Sequence, residues 1–401
     1  MICAKRKLTD SPKAWPACDC GTTAIDTIDS VALPRYLLPS SPFQQCRRLR
    51  RLPLPPLPPA QSRAIGCAAG EKIELRHAKP FAIAIGLMAA TPSQAADWAI
   101  ALHGGAGVIE RANTSPDDDA AIRAALASAL ESGTAILKSG GTAVDAVDAT
   151  VQSLEASPWF NAGVGAVFTS AGTIELDAAI MDGKSLAAGA VTGAMTTQSP
   201  IALARRLMEK GPHVFLSGAA ADSFAKANSL PQVPNSHFMT ERRKRQLDML
   251  LASGPTAAFD AEVRFGTVGA VARDTAGNLA AATSTGGLTG KAPGRIGDAP
   301  VIGAGTLADN RGCAVSATGS GEIFIRARVA SLICDRMRFG GASLADASAA
   351  AIAEMGALGG SGGIIAVGPV GDPHFAMNSL GMYRALATRA GKRAIAIYAD
   401  E

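Results

Sequence analysis

Aromatic residues and charges are scarce in this sequence. Of its 401 residues only 4% are aromatic and 18% are charged, whereas 48% are hydrophobic and 43 are glycine. So high a hydrophobic content excludes a chain that is disordered throughout. Few rings and many glycines favour closely packed backbone layers filled by aliphatic side chains. The composition therefore predicts a globular α/β protein with one large domain or two ordinary ones.

Positive charge is missing from most of the chain. The formal net charge is +4, but the first 63 residues alone hold ten Lys or Arg and four acidic residues, so the rest is slightly acidic. This main part offers no positive field for a nucleic acid. Binding of a nucleic acid through the basic leader stays open only if the leader is translated. The chain also lacks the GxxxxGK[ST] pattern of a P-loop, which disfavours nucleotide binding.

The leading segment has few features of a folded domain. It contains ten of the 23 prolines and five of the seven cysteines, and it shows no hydrophobic periodicity. Such Pro-rich, basic sequence buries too little apolar surface to fold, so residues 1–70 are predicted to be disordered. Cys18 and Cys20 lack the CxxC spacing of a zinc site and have no second pair of ligands. Beyond this segment only Cys313 and Cys334 remain, which allow one disulfide at most.

Long hydrophobic runs are also lacking. The apolar stretch at residues 81–90 is too short to span a bilayer, but basic residues precede it and small residues follow it. These are the three parts of a secretory signal peptide, which we place at residues 71–95; a buried apolar helix is the alternative. Because such signals act at the extreme N-terminus, we expect synthesis to begin near residue 70. The mature chain would then start near Ala96, periplasmic or secreted, with no membrane segment.

The rest of the sequence alternates between strand and helix patterns. Apolar periodicity, capping residues and turn residues place the elements. In chain order they are a strand at residues 98–102, helices at 116–137 and from Thr142, strands at 163–168 and 175–181, a helix at 200–210, an exposed charged helix at 241–251, a mobile linker up to residue 265, and a hairpin at 266–285.

The hairpin begins with a threonine, Thr267, in the stretch GTVGAVA. Alone, this stretch is typical of a buried strand. Its companions are HGGAG at 103–107, FNAGVGAVF at 160–168, ELDAAIMDG at 175–183, TSTGG at 283–287, PGRIGD at 293–298 and TGSGE at 318–322. In this order the seven motifs resemble those of the plant-type asparaginases and isoaspartyl peptidases, which are N-terminal nucleophile (Ntn) hydrolases with a threonine nucleophile. The resemblance covers residues 98–400.

The resemblance implies that the precursor cuts itself between Gly266 and Thr267. A hydroxyl is a weak nucleophile at neutral pH and needs a nearby base. The freed α-amino group of Thr267 can be that base, because its reference pKa is about 7.7–8.0 and it is partly neutral at working pH. No histidine or aspartate partner is needed, which agrees with a chain that has only five histidines.

Matching positions imply further catalytic roles around this nucleophile. Thr285 would orient or polarise the Thr267 hydroxyl. Thr318 and the backbone amide of Gly319 would form the oxyanion hole, and Asn161 would line the site near the developing oxyanion. Without the resemblance, Thr285 would be interpreted as a strand threonine paired across a sheet.

Matching positions also imply a binding site for a free amino-acid head group. Arg295 would bind the substrate α-carboxylate with two parallel hydrogen bonds, and Asp298 would bind the α-ammonium group. Gly321 and Gly105 would leave backbone room for the ligand. Apart from the resemblance, Arg295 and Asp298 would be a routine surface ion pair.

The segment after the second helix resembles the sodium loop of the family. Backbone carbonyls suit a hard cation and leave no side-chain signature. The implied sodium ligands are the carbonyls of Leu154, Glu155, Ser157, Phe160, Ala162 and Val164. No cofactor is expected for catalysis.

The resemblance predicts an α/β fold of the four-layer αββα sandwich type, in one domain at residues 96–401. Self-cleavage would give an α subunit at 96–266 and a β subunit at 267–401, which assemble as (αβ)2. The expected reaction is hydrolysis of L-asparagine and β-aspartyl dipeptides to L-aspartate through an acyl-enzyme on Thr267. Leu307 and Ser320 depart from the family pattern, and they leave the preference between these two substrates open.

Two other functions compete with this prediction. A glycosylasparaginase is disfavoured by Gly286 and Gly287, because that branch carries an asparagine in the same loop. An exported, non-cleaving amino-acid-binding protein would use Arg295 and Asp298 for capture alone. It predicts an intact chain that binds without turnover.

Overall fold

The computed structural model describes residues 97–252 and 266–401. Three predictions lie outside these residues: the disordered leader predicted at 1–70, the signal peptide predicted at 71–95 and most of the linker predicted before Thr267. The first part of the described chain contains β1 (Ala99–Gly107), α1 (Pro116–Lys138), α2 (Ala143–Glu155), β2 (Leu176–Asp182), β3 (Ala188–Ala194), α3 (Pro200–Lys210), β4 (Phe215–Ser217), α4 (Gly218–Ala227) and α5 (Glu241–Ala252). Short 3-10 helices lie at Arg111–Asn113 and Asn235–Phe238.

The second part starts with the strand that carries Thr267 at its head. It contains β5 (Val268–Arg273), β6 (Leu279–Thr285), β7 (Thr306–Ala308), β8 (Ala314–Gly319), α6 (Gly321–Ala327), α7 (Val329–Arg338), α8 (Leu344–Ala357), β9 (Gly362–Val367), β10 (His374–Met377), β11 (Gly381–Thr388) and β12 (Arg393–Tyr398). Strands β5 and β6 pair antiparallel with Val268 opposite Ser284. The predicted hairpin is therefore confirmed.

Two sheets stack on one another. The larger has the strand order β12-β11-β1-β5-β6-β2-β3-β4, and the smaller has β10-β9-β8-β7. Alternation along each strand gives every sheet two faces. On β1, Ile100 and Leu102 belong to the core under the first helices, whereas Ala99 and Ala101 belong to the layer between the sheets. Small alanines on this inner face let the two sheets approach closely.

Helices cover both outer faces. Helices α1, α2 and α3 pack on the larger sheet, with Leu126 and Val147 in that core. Helices α6, α7 and α8 pack on the smaller sheet around Phe324 and Ile333. The layers follow the order helix, sheet, sheet, helix, which confirms the predicted αββα sandwich.

Helix α1 shows why the sequence signals were reliable here. Ser115 caps it by accepting a hydrogen bond from the Asp118 amide, and Pro116 occupies its first turn, as helix N-termini prefer. Within the described residues this is the one helix that is long and apolar enough to cross a membrane. Buried core helices also meet this criterion of length and composition. The Leu126 and Leu130 side chains of α1 are fully buried in the core.

The predicted strand at residues 163–168 is wrong. The segment is a loop, in which Gly163 (φ +50) and Gly165 (φ +92) adopt left-handed backbone conformations. The Asn161 side chain accepts a hydrogen bond from the Val167 amide at 2.9 Å, which fixes the loop locally. The apolar pattern of the segment reflects burial of this loop, not pairing in a sheet. The other predicted strand of this region is confirmed as β2.

Helix α5 forms as predicted, but it is not wholly exposed. Leu247 joins the core and Arg243 is buried. The Arg243 guanidinium donates from Nε to the Gly165 carbonyl at 2.6 Å and from Nη1 to Gln246. Because these acceptors replace water, a charged side chain can lie inside the fold.

A disulfide joins Cys313 to Cys334. The S–S distance is 2.08 Å and the two Cα atoms are 5.1 Å apart. Cys313 immediately precedes β8 and Cys334 lies on α7. The bond therefore ties the start of a central strand to the helix layer that covers it.

Candidate active site

The site is built where strand ends of the two sheets meet. Thr267 lies at the head of β5 and Thr285 at the end of β6, so the antiparallel hairpin brings them side by side. The Thr267 hydroxyl donates to the Thr285 hydroxyl at 3.0 Å. Gly287 donates its amide to the same Thr285 oxygen at 2.9 Å. Thr267 is 9% exposed, so the fold shields most of this residue from solvent.

The residue before Thr267 is also held closely. The Gly266 carbonyl accepts a hydrogen bond from the Asn161 amide at 3.1 Å. Gly105 lies against it with φ +116, and a Cβ there would be 2.5 Å from the Gly266 Cα. Only glycine fits this approach. The peptide bond between Gly266 and Thr267 therefore sits in a closely packed pocket that includes a backbone donor.

Asn161 anchors the turn that follows Thr285. Its side-chain amide donates to the Gly287 carbonyl at 2.7 Å, and its backbone carbonyl accepts from Gly286. With Val167 bound to its Oδ1 atom, the side chain is fully engaged. In this arrangement the Asn161 side chain positions the neighbouring backbone, and the Asn161 backbone N–H donates to the Gly266 carbonyl.

The predicted oxyanion residues lie at the end of β8, across the cleft from the hairpin. Thr318 accepts a hydrogen bond from the Ala106 amide at 3.3 Å, which leaves its hydroxyl proton free to donate. Gly319 has φ +148, and a Cβ there would clash with the Ser361 carbonyl at 2.3 Å. Ser320, which departs from the family pattern, exchanges hydrogen bonds with the Ser361 backbone.

Arg295 and Asp298 occupy the loop after Gly287. Arg295 donates from Nε and Nη2 to the two carboxylate oxygens of Glu322, both at 2.9 Å. This bond holds one edge of the guanidinium and leaves the other edge, formed by Nη1 and Nη2, to a ligand. Glu322 was not singled out from the sequence, although the TGSGE motif contains it.

Asp298 is buried with one oxygen, Oδ2, that has no hydrogen-bond partner in the structure. Burial raises the pKa of this carboxyl from 3.8 to about 7, and the nearby Arg295 opposes that rise. Burying a polar atom without a partner is costly. The atom is therefore placed to receive a donor that arrives with the substrate, such as an ammonium group.

A buried histidine network contacts the backbone of Thr267. His103 contacts the Thr267 carbonyl through Nδ1 and the Ser316 hydroxyl through Nε2, both at 2.9 Å. Ser316 in turn contacts Thr283, at 2.7 Å. Burial lowers the pKa of His103 to about 3, so the ring is neutral at neutral pH and is a weak proton acceptor. Sequence reasoning gave His103 no role, because its partners come from strands far apart in the chain.

Backbone carbonyls lie close to two glycines of the predicted sodium loop. A Cβ on Gly165 would lie 2.7 Å from the Pro158 carbonyl oxygen and 2.9 Å from that of Phe160. A Cβ on Gly163 would lie 2.4 Å from the Glu155 oxygen. Backbone carbonyl oxygens are a ligand type that a hard cation takes, and the Glu155 carbonyl also accepts a hydrogen bond from the Val164 amide at 2.8 Å. The described residues contain no group of three or more His, Cys, Asp or Glu side chains that could hold a metal.

Comparison with known proteins identifies the family. The model of a family described as asparaginase matches residues 96–397. The isoaspartyl peptidase of Salmonella typhimurium is 49% identical over 71% of this chain and 94% of its own length. The isoaspartyl peptidase of Escherichia coli is 46% identical (75% and 96%), and the isoaspartyl peptidase/L-asparaginase of Homo sapiens is 42% identical (68% and 87%). The chain therefore belongs to the asparaginase family, whose fold is of the Ntn-hydrolase type.

Proposed function

We propose that this protein is an isoaspartyl peptidase and L-asparaginase, which hydrolyses β-aspartyl dipeptides and L-asparagine to L-aspartate. One observation carries the proposal: the Thr267 and Thr285 hydroxyls lie 3.0 Å apart at the head of β5. The family match and the names of the relatives support the same reaction.

We infer that the nucleophile is released by self-cleavage. The Thr267 hydroxyl attacks the Gly266 carbonyl carbon. The backbone N–H of Asn161, 3.1 Å from the Gly266 carbonyl oxygen, stabilises the negative charge on that oxygen. The C–N bond breaks, the nitrogen takes the hydroxyl proton, and an ester links Gly266 to the threonine oxygen. Water then hydrolyses the ester, which leaves a carboxylate on Gly266 and a free α-amino group on Thr267.

In turnover the freed α-amino group is the base. It takes the Thr267 hydroxyl proton while the oxygen attacks the substrate side-chain carbonyl. The Thr318 hydroxyl and the Gly319 amide donate to the resulting oxyanion. The leaving amine departs with the proton, and an aspartyl ester remains on Thr267. Water, activated by the same amino group, hydrolyses this ester and releases L-aspartate.

Head-group recognition fixes which carbonyl is attacked. The free edge of Arg295 binds the α-carboxylate, and the unpartnered oxygen of Asp298 accepts from the α-ammonium group. Gly321 leaves room between them, since a Cβ there would be 2.9 Å from Arg295 Nη2 and 3.0 Å from Asp298 Oδ1. A substrate without a free head group would lose both contacts.

We also propose that one sodium ion occupies the loop after α2. The carbonyls of Leu154, Glu155, Ser157, Phe160, Ala162 and Val164 would hold it. Bound there, the ion supplies structural charge only. It would stabilise the loop that ends at Asn161 and carries its amide toward Gly266.

Export, processing and assembly form part of the proposal. We infer synthesis from near residue 70, a mature α subunit at 96–266, a β subunit at 267–401, and an (αβ)2 assembly. The Cys313–Cys334 disulfide supports an oxidising compartment, because disulfides are rare in the cytosol. Light scattering of the purified protein tests the assembly; a molar mass of one precursor would contradict it.

A substrate panel tests the proposed reaction. Purified protein is incubated with L-asparagine, a β-aspartyl dipeptide and GlcNAc-asparagine, and L-aspartate release is measured. We expect turnover of the first two and little of the third. Thr267→Ala should abolish turnover, whereas Thr267→Ser keeps a hydroxyl and should retain part of it. Binding of L-aspartate with no turnover of any substrate would favour an amino-acid-binding protein instead.

A further inference from the structure

A buried lysine, Lys291, lies beside the head-group site and has no part in the reaction described above. It is 5% exposed, and its ammonium group donates to the Glu175 carbonyl at 3.0 Å. Lysines are seldom buried unless their charge is used or paired. No carboxylate of the described residues lies within the 4.0 Å of an ion pair with it. The charge is therefore available to a ligand.

The space over Gly287 shows where such a ligand would bind. A Cβ on this glycine would lie 2.9 Å from Lys291 Cδ, 3.2 Å from the Lys291 ammonium nitrogen and 3.4 Å from Arg295 Nη1. Gly287 has φ +83, which disfavours any side chain there. The two cationic nitrogens thus lie on the same side of Gly287, close enough to each other for one carboxylate to contact both.

The charged groups beside Gly321 differ from those beside Gly287. The space over Gly321 lies between Arg295 Nη2 and the carboxylate oxygen of Asp298. The free edge of the Arg295 guanidinium therefore borders both positions. The first, over Gly287, has two cations, and the second, over Gly321, has one cation and one carboxylate. An amino-acid head group has the complementary order, with its carboxylate toward the first space and its ammonium group toward the second.

Neighbouring charges keep Lys291 suited to this role. Asp177 is buried, lies opposite Thr285 in the sheet, and has an Oδ2 atom without a hydrogen-bond partner. Burial lowers the pKa of Lys291, while Asp177 and Glu175 oppose that change. These carboxylates favour the charged form of the lysine without occupying its ammonium group at ion-pair distance.

We propose that Lys291 is a second binding residue for the substrate α-carboxylate, which it shares with Arg295 over Gly287. The inference rests on the proposed function, because it assumes a substrate with a free amino-acid head group. It predicts that removing the α-carboxylate from the substrate lowers kcat/KM by more than the loss of one arginine contact would. L-Asparagine and β-aspartyl dipeptides have a free α-carboxylate, whereas an asparagine amidated at its α-carboxyl does not.

The test compares L-asparagine with L-asparagine α-amide in processed enzyme. A hydrogen bond to a charged group contributes about 1.5–3 kcal/mol, or roughly ten- to a hundredfold. Lys291→Met should raise KM for L-asparagine by that factor with little change in kcat, and should change kcat/KM for the α-amide by less than about threefold. Lys291→Arg keeps the charge and should recover part of the loss. Equal losses with both substrates, or a fall in kcat alone, would overturn the proposal.

A matched control separates contact from general electrostatics. Lys226 lines a cavity of about 720 Å³ that also reaches Arg295, but it is exposed and does not border Gly287. Lys226→Met removes the same charge and should leave the ratio between the two substrates unchanged. A change equal to that of Lys291→Met would overturn a direct contact.

Two further measurements cover a failure of folding or of the proposed function. If Lys291→Met does not mature, Arg295→Met should still prefer L-asparagine to its α-amide by about tenfold through the remaining cation; loss of all preference would overturn the proposal. Calorimetry of L-aspartate binding needs no turnover. If the wild type hydrolyses nothing but binds L-aspartate more tightly than Lys291→Met does, the proposed reaction fails and this inference stands. If the wild type binds no L-aspartate, both fail.

Discussion

The buried carboxyl of Asp298 makes substrate binding depend on pH. Its pKa is raised from 3.8 to about 7, chiefly by burial. Only the ionised form can accept from an α-ammonium group without donating a proton of its own. Below pH 7 most free enzyme carries a protonated Asp298, and ligand binding must first remove that proton.

The size of the effect follows from the pKa. For a group with a pKa near 7, the ionised fraction falls from about one half at pH 7 to about one hundredth at pH 5, so the dissociation constant of L-aspartate should rise about fiftyfold. The Thr267 amino group, with a reference pKa of about 7.7–8.0, stays largely protonated over this range. It therefore contributes little to the slope.

Calorimetric titration of processed enzyme with L-aspartate at several pH values from 5 to 7 measures this slope. Asp298→Asn keeps the shape of the side chain but cannot ionise. We expect weak binding by this variant and no slope from this residue. A wild-type dissociation constant that stays flat from pH 7 to pH 5 would refute the reasoning, as would an unchanged slope in the Asn variant.

Four further results are expected. The same Asp298→Asn variant should exceed the wild type in melting temperature by more at pH 8 than at pH 5. Because folding raises the pKa of Asp298, the wild type loses stability as the pH rises from 4 to 7, and the variant does not lose this contribution. Equal differences at both pH values in melting scans would argue against this explanation. Glu322→Gln should raise KM for L-asparagine about three- to tenfold with kcat unchanged, since the partner that holds Arg295 is 59% exposed and such pairs contribute little; a loss confined to kcat would contradict this. Removing both Cys313 and Cys334 should lower Tm by roughly 5–10 °C, from about 3 kcal/mol of lost loop constraint, and leave turnover at 25 °C within about twofold. Gly105→Ala should slow self-cleavage on intact-mass time courses, because its Cβ would meet Gly266, whereas Gly172→Ala, also at positive φ (+76) but with open space around it, should not.

The sequence predicted most helices and the hairpin because their signals are local, whereas the αββα layers were predicted from the family resemblance. Alternation and capping around α1 and β5 depend on neighbours in the chain. The strand predicted at residues 163–168 failed because an apolar loop and a buried strand have similar composition. The loop differs from a strand in the left-handed backbone conformation of Gly163 and Gly165. Glycine permits this conformation, but a glycine in the sequence does not show that the residue adopts it.

The site was only partly visible in the sequence. Motif positions named Thr267, Thr285, Arg295 and Asp298. The structure places the Thr267 and Thr285 hydroxyls 3.0 Å apart and brings Arg295 close to Gly287, which follows Thr285 by two residues. Lys291 was missed because its role depends on backbone room over Gly287 and on a carbonyl 116 residues away. The pairing of Cys313 with Cys334 was likewise open, since spacing along a chain does not fix distance in space.

The central claim is that Thr267 becomes the first residue of a subunit and then acts as the nucleophile. Intact mass spectrometry of the purified protein, expressed with its own upstream DNA and sampled over time beside an asparaginase assay, tests it most directly. The account predicts two fragments, one beginning at Thr267 and one near Ala96, with activity rising in step with cleavage. A stable uncut chain that nevertheless releases L-aspartate would contradict it.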